Sequence, residues 1–207
     1  MAHESLAQDY RASVNGHPAT LGGTGDIEIL CAPEHLVPAA VGVLSWAGTV
    51  LPPAGLLGRR VVLVVELLTE VHDQRVASGW GPVTDRASVS TWGWPEMRHL
   101  APPPAVRLRG VLAPARHWRT GLIAVAPFLA LCPTALLLPP HIARDGRCLA
   151  YAAHYGPTIV ADAGHHDPGA VDVVRPGRIG VAPTTSPNAL SRWVHELVYD
   201  RLLRLSS

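Results

Sequence analysis

The densest set of side chains able to bind a metal or move a proton lies in residues 158–172, TIVADAGHHDPGAVD. It places Asp162, His165, His166, Asp167 and Asp172 just past a short apolar run. Neutral imidazole and carboxylate together form the ligand chemistry of zinc and similar divalent ions. His154, upstream on a predicted helix, joins His165 and Asp162 as a third ligand and leaves one coordination position open for water. A metal so held lowers the pKa of its bound water, and Asp167 and His166 are then the acid–base groups of a hydrolysis. The plainer reading of the same residues makes Asp162 a turn cap, Pro168-Gly169 a turn, and the histidines surface groups.

Three other groupings have chemical potential. Cys31 and His35 stand four residues apart across a predicted strand-to-helix junction, where a thiol can be activated by a neighbouring imidazole. Glu66, Glu70, His72 and Asp73 follow the most apolar run of the chain, and carboxylates at a strand end can ligate a metal or simply be solvated. Trp80, Trp92, Trp94 and Trp118 are interleaved with Arg86, Arg98, Arg107, Arg109, Arg116 and Arg119. Aromatic faces with guanidinium groups can stack bases and grip phosphates, or anchor a protein interface, or pack beneath loops. Trp92, Trp94, Arg107 and Arg109, with Trp193 near the C-terminus, are the candidate interface residues.

Two resemblances follow from these strings. DAGHHDPGA, residues 162–170, resembles the zinc-ligand motif of bacterial cell-wall amidases of the N-acetylmuramoyl-L-alanine type, in which a strand leads into Asp, Gly-His and then Pro-Gly-Ala. The resemblance implies that His165 is the first zinc ligand. The spacing here is shorter, and the family's further ligands and catalytic Glu lie farther downstream than this sequence extends. The predicted element order, in turn, is similar to restriction-endonuclease-like cores. That family needs an acid on the second strand and a Glu-x-Lys pair on the third, so without lysine the resemblance implies a domain that binds nucleic acid and does not cut it.

The elements that position these groups can be read from pattern. A strand is expected at 26–31, a helix over 34–50 and a loop at Pro52-Pro53-Gly55. RRVVLVVELL, residues 59–68, reads as a strand buried on both faces. Gly-Pro and Asp punctuation predicts a hairpin within 75–94, and the alternation in 105–111 predicts a strand with Arg107 and Arg109 on its open face. Then come a buried helix in 121–132 kinked or started at Pro127, a strand at 134–138, and a helix capped by Asp145 that runs to Tyr155 and closes at Gly156-Pro157. A strand at 158–161 enters the histidine-rich stretch, and a small hairpin is expected to turn at Pro176-Gly177. The C-terminal helix is expected to start with Ser186 as N-cap and Pro187 in its first turn, with Leu190, Trp193, Val194, Leu197, Val198, Leu202 and Leu205 on one face. Arg192–Glu196 and Asp200–Arg204 are its expected i,i+4 ion pairs.

Together these predict a single α/β domain: a mixed central β-sheet flanked by helices, with a C-terminal amphipathic helix, spanning 26–207 behind a flexible N-terminal arm at 1–25. The 207 residues are 48% hydrophobic and 16% charged, enough apolar material for one core and too much for disorder. Lys and Arg together number 17 and every one is arginine, which excludes a P-loop, a Schiff-base enzyme and an S-x-x-K nucleophile pair. A net charge of +1 argues against a broad electrostatic footprint for nucleic acid, though not against local arginine patches. The three cysteines, Cys31, Cys132 and Cys148, are scattered, and the polar N-terminal stretch lacks an export signal, so reduced thiols and a cytoplasmic, bacterial protein are expected. Residues 36–58 and 121–140 approach the length of a membrane span, but their prolines break them into elements of a buried core, so membrane contact is not expected. The leading functional expectation is a non-catalytic binding domain engaging a protein partner or a second copy of itself. The metal-dependent hydrolase and the silent nuclease-like nucleic-acid binder are the alternatives.

Overall fold

The unbroken Val/Leu run at 61–65 can only be satisfied by burial on both faces, and it forms an interior strand of the sheet, second from one edge. The computed structural model describes residues 34–163, 169–178 and 188–206. Six strands, β1 (Thr49–Leu56), β2 (Arg59–Leu67), β3 (Val106–Pro114), β4 (Thr134–Leu138), β5 (Thr158–Asp162) and β6 (Val171–Arg175), lie in sequence order across one sheet. β1, β2 and β3 form an antiparallel meander; β3, β4 and β5 are parallel; β6 returns antiparallel to β5. The expected fold class, a single α/β domain on a mixed sheet, is what the chain adopts.

Helix α1 (Val37–Val43) covers one face, where Leu36, Val37, Ala40 and Val41 pack on Val62, Val64, Leu112, Ala135, Leu137 and Val160. Gly110 of β3 lies under the Trp46 ring on this face, so closely that a Cβ could not be accommodated. The opposite face carries the other large core, built from alternate strand residues and from α4 (Trp118–Val125), α5 (Pro140–Ala143), α6 (Gly146–Tyr155) and α7 (Ala189–Ser206). Between β2 and β3 lie α2 (Thr69–Ala77) and α3 (Arg86–Thr91). Both uncharged stretches that approach membrane-spanning length are thus divided among short helices and strands. No helix among the described residues is long and apolar enough to cross a membrane.

Several expectations need correction. The helix predicted over 34–50 is a 3-10 turn followed by α1 and stops at Val43, because Trp46 turns down onto Gly110 and Thr49 already pairs in β1. Pro52-Pro53 is not a loop: both residues sit in the bulge between Leu51 and Ala54 of an edge strand, where missing N–H donors cost no ladder bond. The hairpin predicted within 75–94 is instead helical. Asp85 caps α3 by accepting from the Ser88 N–H at 2.7 Å, and α2 is held by a buried ion pair described below. The strand after Gly169 pairs with β5, and the second arm of the hairpin expected at Pro176-Gly177 lies outside the described residues. Asn188, whose Oδ1 accepts the Ser191 N–H at 2.8 Å, supplies the capping bond of α7 expected of Ser186. The strand expected at 26–31, the arm at 1–25, and Ser186 and Pro187 lie outside the described residues. By contrast α6 follows the sequence closely: Asp145 Oδ1 accepts from the Arg147 and Cys148 N–H groups, and Gly156 closes the helix at φ 93°.

Candidate functional site

The carboxyl ends of β3, β4 and β5 meet at one edge of the sheet, the usual location of ligands in open α/β folds. Asp162 ends β5 at that edge, paired with Val171. His165, His166 and Asp167 lie outside the described residues. His154 is placed elsewhere. It sits in the last turn of α6, its carbonyl accepts from Arg178 at 2.6 Å, and Arg178 packs on Gly156 ahead of the first residue of β5. The strand from Thr158 to Asp162 separates the two residues by about 13 Å at ~3.3 Å per residue. His154 and Asp162 are therefore not brought together. Among the described residues, no three His, Cys, Asp or Glu side chains are grouped so as to hold a metal ion.

The acid of the second strand has a structural partnership. Glu66 Oε2 accepts from Arg107 at 3.2 Å and lies 2.9 Å from an Arg109 nitrogen. Arg109 is the extra residue of the bulge between Val64 and Val65, which puts two successive arginines on the same carboxylate. β3 itself carries no acid, so the carboxylate pair implied by the nuclease resemblance is not assembled on β2 and β3. Among the other candidates, His72 Nδ1 shares a hydrogen bond with the Tyr199 hydroxyl at 2.7 Å, and Cys31 lies outside the described residues. Burial pushes the Cys132 thiol up to about 12 and the Cys148 thiol up to about 11, with Asp145 adding to the second, so neither is a nucleophile at neutral pH.

The structure brings Trp92, at the end of α3, and Trp193, at the start of α7, to one end of the molecule, with Trp94 two residues beyond Trp92. Trp193 Nε1 donates to the Thr84 carbonyl at 2.8 Å under the Arg86 guanidinium, and Arg192 lies over Trp92 while donating to the Pro102 carbonyl at 2.9 Å. Trp94 remains 61% exposed and Trp80 45%. Trp80, His99, Leu100, Pro102 and Pro103 line a cleft of about 310 Å³. Other clefts measure about 280 and 300 Å³, so none stands out as a substrate cavity, and all fall at the floor of the range for small-molecule sites.

What fixes this end of the molecule was not read from the sequence. Arg75, 1% exposed, makes a two-pronged ion pair with Glu196, both contacts at 2.8 Å, and donates to the Gly81 and Pro103 carbonyls. Glu196 also accepts the Val83 N–H at 2.9 Å, and the Tyr199 ring lies under the guanidinium at 4.9 Å. One buried pair thus ties α2, the 81–84 segment and residues 102–103 to α7. Glu196 is therefore not the partner of Arg192, as i,i+4 spacing predicted, whereas Asp200 and Arg204 do pair, at 2.8 Å.

A second aromatic assembly runs along α4 and α6. Trp118 meets Tyr151 at 4.9 Å between ring centroids, Tyr151 stacks with Tyr155 at 6.1 Å, and the His154 ring stands edge-on to Tyr155. Sequence reasoning found Trp118 and missed the tyrosines; Arg147, Tyr151 and Tyr155 at four-residue intervals on a capped helix were the available signal. Comparison of the chain with protein-family models, curated proteins and solved structures finds no match to any of them.

Proposed function

We propose that this chain is a non-catalytic binding domain that self-associates through its tryptophan-rich end. The observation that carries the reading is the exposure of Trp94 and Trp80 on a platform whose backbone is locked by the Arg75–Glu196 pair. Exposed tryptophan beside arginine is the composition of interface centres, and pre-ordering of the surrounding loops lowers the entropy lost on association. The surface has both signs of charge, with Asp85 and Glu96 near Arg86 and Arg98, as a self-complementary contact about a two-fold axis requires.

Taking the exposed parts of both rings out of water contributes on the order of 6 kcal/mol per protomer, from roughly 250 Å² per ring at ~25 cal/mol per Å². Twice that is of the same order as the cost of association, about 4–15 kcal/mol. The dimer is accordingly concentration-dependent. Sedimentation equilibrium over a wide concentration range tests this. The wild-type chain should pass from monomer to dimer, while a Trp80→Ser/Trp94→Ser variant with unchanged circular dichroism stays monomeric. A wild-type chain that remains monomeric throughout, or a double variant that dimerises equally well, overturns the reading.

A further inference from the structure

We infer that the α4–α6 surface is a second, independent binding site and that its ligand is single-stranded nucleic acid. Three rings, Trp118, Tyr151 and Tyr155, form a continuous stripe with centroid spacings of 4.9 and 6.1 Å, and the two tyrosines are 47% and 44% exposed. The rings stack on one another and Arg119 covers Trp118, so the surface left to a ligand is the open half of Tyr151 and Tyr155. Cations stand at both ends of the stripe. Arg119 lies over Trp118 at 5.2 Å, Arg147 is exposed one helical turn before Tyr151, and Arg178 is anchored by its bond to the His154 carbonyl beside Tyr155.

Charge complementarity points to a polyanion. The sequence has no Asp or Glu between Glu96 and Asp145, a stretch that includes all of α4 and β4, and Arg116, Arg119 and Arg144 flank those elements, whereas Arg107 and Arg109 are held by Glu66. Asp145 is occupied in capping α6. Half-open aromatic rings bordered by guanidinium groups match a strand whose bases are unpaired and whose phosphates run alongside. A duplex hides its base faces and would use only the arginines, so the rings select the single strand. The site requires no reaction, and it lies apart from the Trp80–Trp94 end.

The test is fluorescence anisotropy of a labelled oligo-dT of about 12 nucleotides, within the site sizes of sequence-tolerant strand binders, titrated with the full chain against a matched duplex. The strand should bind more tightly than the duplex. Tyr151→Ala and Tyr155→Ala should each weaken strand binding roughly tenfold, the loss of one stacked base, whereas Tyr155→Phe, which keeps the ring, retains it. Arg119→Gln and Arg147→Gln should each lower the slope of log K against log salt by about 0.7. Thermal melts accompany every variant. If Tyr151→Ala fails to fold because it loses Trp118, the solvent-facing Tyr155→Ala and Arg147→Gln variants decide alone. No strand binding at low salt, equal binding of strand and duplex, or wild-type affinity in a folded Tyr155→Ala variant each overturns the inference.

Discussion

Removing the carboxylate of Glu196 by substitution to Ala isolates the buried ion pair that organises the tryptophan-rich end. In the native chain Glu196 accepts two bonds from Arg75 and one from the Val83 N–H, and both partners are almost wholly out of water. The substitution leaves a guanidinium buried without a counter-charge, an N–H without an acceptor and a hole under α2. Breaking one partner of such a pair costs about 3–5 kcal/mol, most of it the penalty for the orphaned charge. For a domain of this size each kcal/mol lowers Tm by roughly 2–4 °C, so a drop of about 6–20 °C is expected. Urea and thermal denaturation followed by far-ultraviolet circular dichroism measure it. The companion variant Arg75→Met/Glu196→Leu removes both charges together, and it should regain most of the loss, giving a double-mutant coupling well above about 1 kcal/mol. If Glu196→Ala costs less than about 1 kcal/mol, the pair is hydrated in solution and does not clamp the platform.

Four further outcomes follow from geometry. His195 Nδ1 donates to the Ser191 carbonyl at 2.6 Å, and burial lowers the pKa of its ring, opposed chiefly by that hydrogen bond, with nearby Arg192 adding to the lowering. With the folded pKa below the unfolded one, the unfolded chain takes up the proton first as pH falls; stability should decline below about pH 6.5 and His195→Gln should flatten that decline in Tm against pH. Peptide-resolved iodoacetamide labelling at pH 8 should spare Cys132 and Cys148 until denaturant is added; rapid native labelling of either contradicts their burial. Gly110→Ala should cost about 1–3 kcal/mol by driving a methyl into the Trp46 ring, and a Trp46→Ala background should relieve part of it. Elemental mass spectrometry of untagged protein prepared without chelators separates the proposed binding domain from the metal-dependent hydrolase: a chain purified without stoichiometric metal supports the first, and one zinc per chain lost in His165→Ala supports the second.

Elements specified by near neighbours were legible. The apolar run of β2 and the Asp145 and Gly156 bounds of α6 each carry their own signal within a few residues. Elements specified at a distance were not. Residues 75–94 carry turn punctuation typical of a hairpin, yet the 81–83 segment is docked by Arg75 and a counter-ion 121 positions away. The same contact redirected Glu196 from Arg192, and no helical-wheel argument could have revealed it. The Pro52-Pro53 pair reads as a break until β1 is known to be an edge strand with a bulge there. For the sites, residue types were visible and their assembly was not: His154 and Asp162 are close in sequence but stand at opposite ends of β5, while Trp118 and Tyr151 meet across two helices.

The dependence of Arg75 on Glu196 also sets an order of events during synthesis. When the ribosome has delivered β1 to β3 and the helices between them, Arg75 of α2 has been made and its counter-charge has not. The nascent domain must keep that arginine in water, and with it the 81–84 and 102–103 segments undocked, until α7 emerges. A product cut short before Ala189 thus cannot mimic the finished fold. It retains an arginine without its counter-charge and an unsealed seam where the complete chain is closed by the Arg75–Glu196 pair.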